Sequence, residues 1–327
     1  PMRIRGFDRR RDWHGGAHPG SLNWSSNSCA RSATIASLAL MSLSLLTIHA
    51  HPDDESSKGP GTVNLYSSQG IRTTLVCCTG GEEGDILNPA MDSPEVKENL
   101  TSVRQAELDS AAAIIGYDEV VMLGYRDSGM PDSEANGNPE AFCNADLDVA
   151  VGRLVQVIRR VRPQVVMTYP EVQNRYPHPD HLQVTAISIP AYDRAGDPSW
   201  YPEAGEPFEP SMLYAPIWSI ERLLLTHQAF LDRGLESPYD DKWLAGRDRD
   251  HRITAMIRVD NSVRRKALLA HGTQVDPESP FWFGLPDEVQ DAIHPYEEYM
   301  LLRSRIQTEE LEDDLFSGLR VLSGDTD

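Results

Sequence analysis

Short apolar runs alternate with segments of helical periodicity in the part of the chain that follows residue 40. The runs are LSLLTIHA, IRTTLVCCT, DEVVMLGY and PQVVMTY, and helical segments lie between them at 58–69, 95–116 and 146–161. Continuous apolar runs are typical of strands buried on both faces, and strands that alternate with helices form parallel sheets. The sequence therefore predicts an α/β fold with a mostly parallel sheet and helices on both faces.

The alternating pattern weakens beyond residue 195. SMLYAPIW and TAMIRVD predict strands, 262–270 predicts a helix, and the charged stretch 295–327 is predicted to be partly helical. We expect residues 41–195 to form the core of the fold. Residues 196–327 are expected to form a smaller C-terminal α+β part that completes the sheet and a substrate pocket.

Residues 1–40 differ from the remainder in composition. They hold six Arg and two Asp, although the whole chain has a net charge of -20. We predict a disordered or spurious extension rather than an export signal, because the apolar run after it is needed as the first strand. The acidic balance argues against a nucleic-acid partner, and no run reaches the roughly 18 residues of a membrane span. The adjacent Cys77 and Cys78 fit buried thiols of a reducing cytoplasm.

Two polar clusters follow predicted strands, where parallel sheets bind their ligands. The first is HPDDE at 51–55, and the second, NRYPHPDH, contains Tyr176, His178, Asp180 and His181. His51 and Asp54 can reach one ion from a single turn, and His181 can join them from across the sheet. Two histidines, one aspartate and an open position are typical of catalytic zinc. These ligand types also accept iron or manganese, because they select weakly among metals.

The remaining residues of these clusters suit hydrolysis. Bound zinc lowers the pKa of its water to about 7, and the neighbouring Asp53 is placed to accept the second proton. A His178 imidazolium can stabilise an oxyanion, and Asp180 can fix the orientation of that ring. We interpret His49 as a buried structural histidine. Glu55 either caps the next helix or supports a ligand, and a surface capping network is the alternative interpretation of either cluster.

AHPDDE and HPDH, separated by about 125 residues, resemble the signature pair of the LmbE/PIG-L zinc N-deacetylases. The resemblance extends over about 43–300 and implies a Rossmann-like fold. It also implies zinc on His51, Asp54 and His181, Asp53 as general base, His178 at the oxyanion and Tyr176 polarising the carbonyl.

Further segments are similar to the mycothiol branch of this family: TGGEEGDILNPAMD, RQAEL, YRDSGMP and LLAHGTQVDP. This similarity implies a substrate that is a small pseudodisaccharide thiol conjugate, with Arg104 and Asp127 on sugar hydroxyls and Glu83 at the pocket edge. Lys58 favours cleavage of the conjugate amide over deacetylation of the sugar precursor. From the residues alone, Arg104 can instead pair with Glu107, Asp127 can cap a turn and Lys58 can be solvated.

Three alternatives to a thiol-conjugate amidase follow from the same residues. The first is deacetylation of an N-acetylglucosaminyl-inositol, and the second is a secondary-metabolite amidase or deacetylase of the same family. The third is a sugar-binding module that keeps the fold without catalysis. We expect a cytoplasmic enzyme without a membrane partner, and a homo-oligomer is compatible with the sequence.

Overall fold

A seven-stranded sheet organises the fold. The computed structural model describes residues 43–173, 177–245 and 252–323. The strands are β1 (Ser44–His49), β2 (Arg72–Thr79), β3 (Glu119–Tyr125), β4 (Val165–Met167), β5 (Met212–Ile217), β6 (Ala255–Arg258) and β7 (Tyr296–Ser304). Their order across the sheet is β3-β2-β1-β4-β5-β7-β6.

The sheet is parallel on the side that contains the first five strands. β1 pairs in parallel with β2 and β4, and β3 and β5 extend this arrangement outward. β7 is antiparallel to both β5 and β6. The predicted mostly parallel sheet is confirmed. The chain starts in the middle, builds outward to β3 and then returns to β4, so the switch point for ligand binding lies between β1 and β4.

Twelve helices connect or cover the strands in the described ranges. They are α1 (Asp54–Ser57), α2 (Pro60–Ser68), α3 (Pro94–Glu98), α4 (Leu100–Ile115), α5 (Leu147–Val161), α6 (Pro179–Arg194), α7 (Ile220–Leu231), α8 (Asp241–Ala245), α9 (Asn261–Ala270), α10 (Pro280–Phe283), α11 (Asp287–Ile293) and α12 (Ser317–Ser323). The single helix predicted for 95–116 is two helices, because the chain leaves helical geometry at Asn99.

Both faces of the sheet are covered, as predicted, because successive side chains of a strand point to opposite faces. In β1, Leu46 and Ile48 pack in one buried cluster with residues of α5 and α6. Leu45 packs in a second cluster with residues of α2, α4 and α9. All three leucine and isoleucine side chains are fully buried, so β1 is the centre of the hydrophobic core.

The stretch at 295–327 is partly helical, as predicted, and it also contains a strand that was not predicted. Ser317–Ser323 is the helix within its described residues, and β7 precedes it. The strand was missed because Glu297 and Glu298 are charged, whereas both are buried in the structure. Glu297 accepts hydrogen bonds from the amides of Gly61 and Thr62, and Glu298 is bound in the same way at the start of α7. Buried carboxylates are compatible with a strand when such donors satisfy them.

Strands from both sides of residue 195 belong to this one sheet, and Met41–Asp327 forms one compact unit. The extension predicted for residues 1–40 lies outside the described residues. No helix among the described residues is long and apolar enough to cross a membrane.

Candidate active site

Four ionisable side chains meet at the carboxyl ends of β1 and β4. β1 ends at His49, and the turn that follows carries His51 into α1, which begins at Asp54. α6 begins beyond β4; His178 is its N-cap residue, and His181 lies in its first turn. Because β1 and β4 are neighbours, both turns face the same space. The His51 and His178 rings lie 4.6 Å apart, and the His51 and His181 rings lie 5.4 Å apart.

The Asp54 carboxylate lies between two of these histidines. Its Oδ2 atom is 3.4 Å from His51 Nδ1 and 3.3 Å from His181 Nε2. Ligand bonds of roughly 2.1 Å in a tetrahedral zinc site give ligand-to-ligand distances of about 3.4 Å. Tyr169 donates a hydrogen bond to the same Oδ2 atom at 2.7 Å and so orients the carboxylate. Both distances from Asp54 therefore match the spacing between two zinc ligands.

Other groups of ligand atoms also converge on His51. Its ring lies with those of His178 and His181 in one group whose ligand atoms are all within 4.8 Å of one another. A second group of the same kind combines His51 with Asp127 and Asp180. His51 is common to both groups and is also near Asp54, so it is the residue on which the possible ligand sets converge.

Lys58 lies against a predicted metal ligand. Its ammonium group contacts the Oδ1 atom of Asp54 and stands 5.5 Å from the centre of the Tyr169 ring. Burial opposes ionisation of Asp54, but Lys58 and His181 outweigh it and hold the pKa of Asp54 well below its usual range. A carboxylate must be deprotonated to bind a metal, and Lys58 therefore favours the form that binds.

Asp53 has the environment that a general base requires. Desolvation in the cavity and the neighbouring Asp54 carboxylate raise the pKa of Asp53 to about 6, close to the pH at which a base works best. Its backbone has φ 124° and ψ -26°, a conformation that residues other than glycine seldom adopt. The Arg104 guanidinium lies 3.9 Å from its carboxylate. Strained residues of this kind concentrate at functional sites.

A buried ion pair holds Asp53 in this conformation. The Asp53 amide donates a hydrogen bond to Glu55 Oε2 at 2.9 Å. The other oxygen of Glu55 lies 2.6 Å from His271 Nε2, and both side chains are fully buried. Glu55 was predicted to be a cap or a support, and His271 had no predicted role. His271 belongs to the segment HGTQ, but its partner Glu55 lies 216 residues earlier. No pattern within the segment therefore indicates this contact.

We expect the His271→Ala substitution to lower the free energy of unfolding by about 3–5 kcal/mol. Removing one member of a buried pair leaves the other charge without compensation, which is the reason for this cost. The measurement is urea unfolding followed by circular dichroism. His227→Ala is the matched control, because His227 is only partly buried and bonds to the Ser237 hydroxyl. A loss below about 1 kcal/mol in His271→Ala would show that the pair is not structural.

Asp180 and His178 differ from their predicted roles. The Asp180 carboxylate lies 3.1 Å from His51 Nε2 and accepts hydrogen bonds from Ser128, so it orients His51 rather than His178. It is the Asp180 backbone amide that donates to His178 Nδ1, at 3.2 Å. Burial and the two neighbouring histidines lower the pKa of His178 to about 4. The predicted imidazolium is therefore corrected to a neutral ring whose Nε2 carries the proton.

His49 is fully enclosed behind the site. Its side chain is 1% exposed, and neither ring nitrogen has a hydrogen-bond partner within the described ranges. Burial lowers the pKa of His49 to about 4, so the ring is neutral at physiological pH. These features match the interpretation of His49 as a structural residue.

The predicted sugar-binding residues line the cavity but also have partners within the protein. Arg104 donates to the Pro52 carbonyl at 3.0 Å and contacts the Gly81 carbonyl, which joins two loops of the site. Asp127 accepts from the amides of Gly129 at 2.8 Å and of Glu83 at 3.3 Å, as expected for a turn. The Glu83 carboxylate pairs with Arg126. Tyr176 lies outside the described residues.

One cavity of about 730 Å³ extends from the ionisable cluster across the ends of the strands. Asp53, Lys58, Arg104 and Asp127 line its polar end. Aromatic and cationic side chains that the sequence did not single out line the opposite end: Trp218, Arg222, Phe281 and Trp282. The strand order places the polar groups that follow β2 and β3 and the aromatic group that follows β5 on different sides of β1 and β4, so the cavity has two chemically different ends.

The profile of the PIG-L family, described as GlcNAc-PI de-N-acetylase, matches residues 46–192. These residues include both polar clusters. The chain belongs to the PIG-L (LmbE) family, as its motifs predicted, and it is an enzyme of this class of deacetylases and amidohydrolases. Enzymes of the family depend on a metal ion, and the group around His51 offers the ligands for one.

Two curated relatives share most of the chain. It is 42% identical over 289 residues to "Mycothiol S-conjugate amidase" of Streptomyces coelicolor, covering 85% of this chain and 98% of that protein. It is 38% identical over 291 residues to "1D-myo-inositol 2-acetamido-2-deoxy-alpha-D-glucopyranoside deacetylase" of Geodermatophilus obscurus, covering 84% and 97%. The solved N,N'-diacetylchitobiose deacetylase from Pyrococcus horikoshii has a TM-score of 0.54 at 16% identity, covering 85% and 94%, which shows a shared fold.

Proposed function

We propose that this enzyme hydrolyses the amide of mycothiol S-conjugates, with zinc held by His51, Asp54 and His181. The observation that carries the proposal is the position of Asp54 Oδ2, 3.4 Å and 3.3 Å from the two histidine nitrogens, beside a second carboxylate of raised pKa. When bound there, zinc polarises a carbonyl oxygen and lowers the pKa of a water molecule. Side chains of the protein carry out the proton transfers and bind the oxyanion.

Asp53 moves the protons in this proposal. With a pKa of about 6 its carboxylate is ionised at neutral pH and accepts a proton from the attacking water. It then delivers that proton to the nitrogen of the leaving amine. Glu55 fixes the backbone of Asp53, and Arg104 keeps a positive charge 3.9 Å from its carboxylate. Neutral His178 donates its Nε2 proton toward the oxygen of the tetrahedral intermediate.

The products of this reaction would be a mercapturic acid and glucosaminyl-inositol. Identity of 42% to the relative named as an amidase supports this substrate. Identity of 38% to a relative named as a deacetylase supports the alternative, removal of the acetyl group from N-acetylglucosaminyl-inositol. The two reactions share their chemistry and differ in the size of the acyl group.

We expect the purified enzyme to cleave the bimane conjugate of mycothiol at least ten times faster than it deacetylates N-acetylglucosaminyl-inositol. The measurement is kcat/KM for both substrates on protein whose zinc, iron and manganese contents have been determined. Treatment with a chelator should abolish both activities, and the metal that restores them is the functional one.

The opposite order of rates would assign the chain to deacetylation. Metal-loaded protein that hydrolyses neither substrate would favour another amide of a secondary metabolite. Protein that binds no metal at all would revive the interpretation as a sugar-binding module.

A further inference from the structure

The end of the cavity away from the ionisable cluster is aromatic. We call Trp218, Phe281 and Trp282 the aromatic arm. The ring of Trp218 lies 6.0 Å from that of Phe281 with an angle of only 9° between the planes, and 6.1 Å from that of Trp282. All three are partly exposed and line the cavity. Aromatic surface that stays accessible inside a concave site is typical of a ligand-binding region.

The aromatic arm lies too far from the metal ligands to contact an acetyl group. Trp218 directly follows β5, whereas the ionisable cluster lies between the ends of β1 and β4. The centre of that cluster is therefore about one and a half strand spacings, roughly 7 Å, from the end of β5. The methyl carbon of an acetyl group lies only about 1.5 Å from its carbonyl carbon. An S-substituted cysteinyl group extends farther, because four bonds carry its substituent about 5 Å outward and a ring adds the remainder.

Arg222 provides a polar contact next to the aromatic arm. Its guanidinium stands 4.5 Å from the centre of the Trp218 ring, and the residue is 8% exposed. In the described ranges no atom accepts a hydrogen bond from this guanidinium. Burial and the neighbouring Arg264 lower the pKa of Arg222 to about 9, so it is still charged at neutral pH.

The nearby carboxylates are already committed to other donors. Glu298 accepts from the Ser219 amide and hydroxyl, and Glu297 accepts from two backbone amides of α2 and from Arg264. The nitrogen atoms of Arg222 are not among the buried side-chain atoms without a partner in the described residues, and Arg222 lines the cavity, so an oxygen atom of a ligand can accept from them. The position of Arg222 beside the aromatic arm therefore indicates a ligand with both an apolar group and an oxygen acceptor.

We infer that the aromatic arm binds the apolar thioether substituent of the substrate's acyl half, while Arg222 donates to an oxygen of that half. The inference rests on the proposed function, because it places the reacting amide at Asp53. The two halves of an amide leave its carbonyl carbon in opposite directions. The hydroxylated amine half takes the polar end of the cavity, and the acyl half takes the aromatic end. Sulfur and aromatic substituents gain further from contact with aromatic rings.

The experiment compares S-benzyl and S-methyl conjugates of mycothiol in wild type and in the Trp282→Ala variant. We expect Trp282→Ala to raise KM about tenfold for the benzyl conjugate, and to change kcat/KM for the methyl conjugate less than twofold. Trp200→Ala is the matched control, because Trp200 lies in a loop outside the cavity and packs on Arg194. This control should leave both conjugates unchanged. Equal losses on both conjugates in Trp282→Ala would overturn the inference.

Arg222→Met tests the polar contact. Because both conjugates share the rest of the acyl half, the variant should raise KM for both by a similar factor. It should leave the deacetylation of N-acetylglucosaminyl-inositol unchanged, since an acetyl group does not reach Arg222. Arg222→Ala, which also removes the donor, serves as a second variant if the methionine variant unfolds. Unchanged KM for both conjugates in the variant that folds would contradict the role of Arg222.

A binding measurement separates this inference from the proposed function. S-benzyl-N-acetylcysteine, titrated calorimetrically into metal-loaded wild type, should bind, and Phe281→Ala should weaken its Kd about tenfold. If the enzyme hydrolyses no thiol conjugate but shows this difference, the proposed function fails and the binding site stands. If wild type hydrolyses conjugates but Phe281→Ala does not alter this Kd, the inference fails and the proposed function stands.

Discussion

Asp53→Asn is expected to lower kcat/KM by about 10²- to 10⁴-fold, the usual contribution of a general acid–base residue. Asparagine keeps the shape of the side chain but cannot accept the proton of the attacking water or return it to the amine. The backbone amide of Asp53 donates to Glu55, and the substitution leaves this hydrogen bond in place because it changes only the side chain. We therefore expect a lower kcat and little change in the free energy of unfolding.

The metal content decides how this result is interpreted. Asp53 is not among the predicted ligands, so Asp53→Asn should retain the metal content of the wild type, measured by elemental analysis. Asp109→Asn is the matched control, because Asp109 is exposed on α4 and bonds to Gln105. It should keep full activity. Near-normal turnover by Asp53→Asn would exclude Asp53 as the base, and loss of metal would make Asp53 a ligand instead.

The position of the site could be predicted from the sequence because its signals are local. β1 and β4 are apolar runs, each polar cluster directly follows its strand, and neighbouring parallel strands bring the clusters together. The pairing of His51 with Asp54 also depends on a separation of only three residues. Patterns within one turn or one strand therefore sufficed for the parallel part of the sheet and for most of the helices beside it.

Contacts between distant segments could not be predicted in this way. β7 was missed because the donors that satisfy Glu297 stand more than 230 residues earlier, in α2. Asp180 was assigned to its neighbour His178, whereas its carboxylate reaches His51, 129 residues away. Likewise, the aromatic arm combines the residue after β5 with α10, and only the folded sheet brings these segments to one cavity. The sequence does not show which charged residues will find buried hydrogen-bond partners in the folded protein.

The largest effect on metal binding is expected for His181→Ala, which should reduce the metal content from about one ion per chain to nearly none. Activity should fall by at least about 10³-fold, because the metal contributes several kcal/mol to catalysis. The Nε2 atom of His181 is 3.3 Å from Asp54 Oδ2, so its loss also leaves the ionised Asp54 without a partner on that side. Elemental analysis after dialysis measures the effect directly.

His178→Ala is the control that makes this test specific. His178 is also within ligand distance of His51 and His181, and the two alternative groups predict different results. If His51, Asp54 and His181 bind the ion, His178→Ala keeps the metal but loses activity, because only the donor to the oxyanion is removed. If instead the three histidines bind it, His178→Ala loses the metal and Asp54→Asn retains it. Since Lys58 keeps Asp54 ionised and Tyr169 orients the oxygen between the two histidines, we expect the first result.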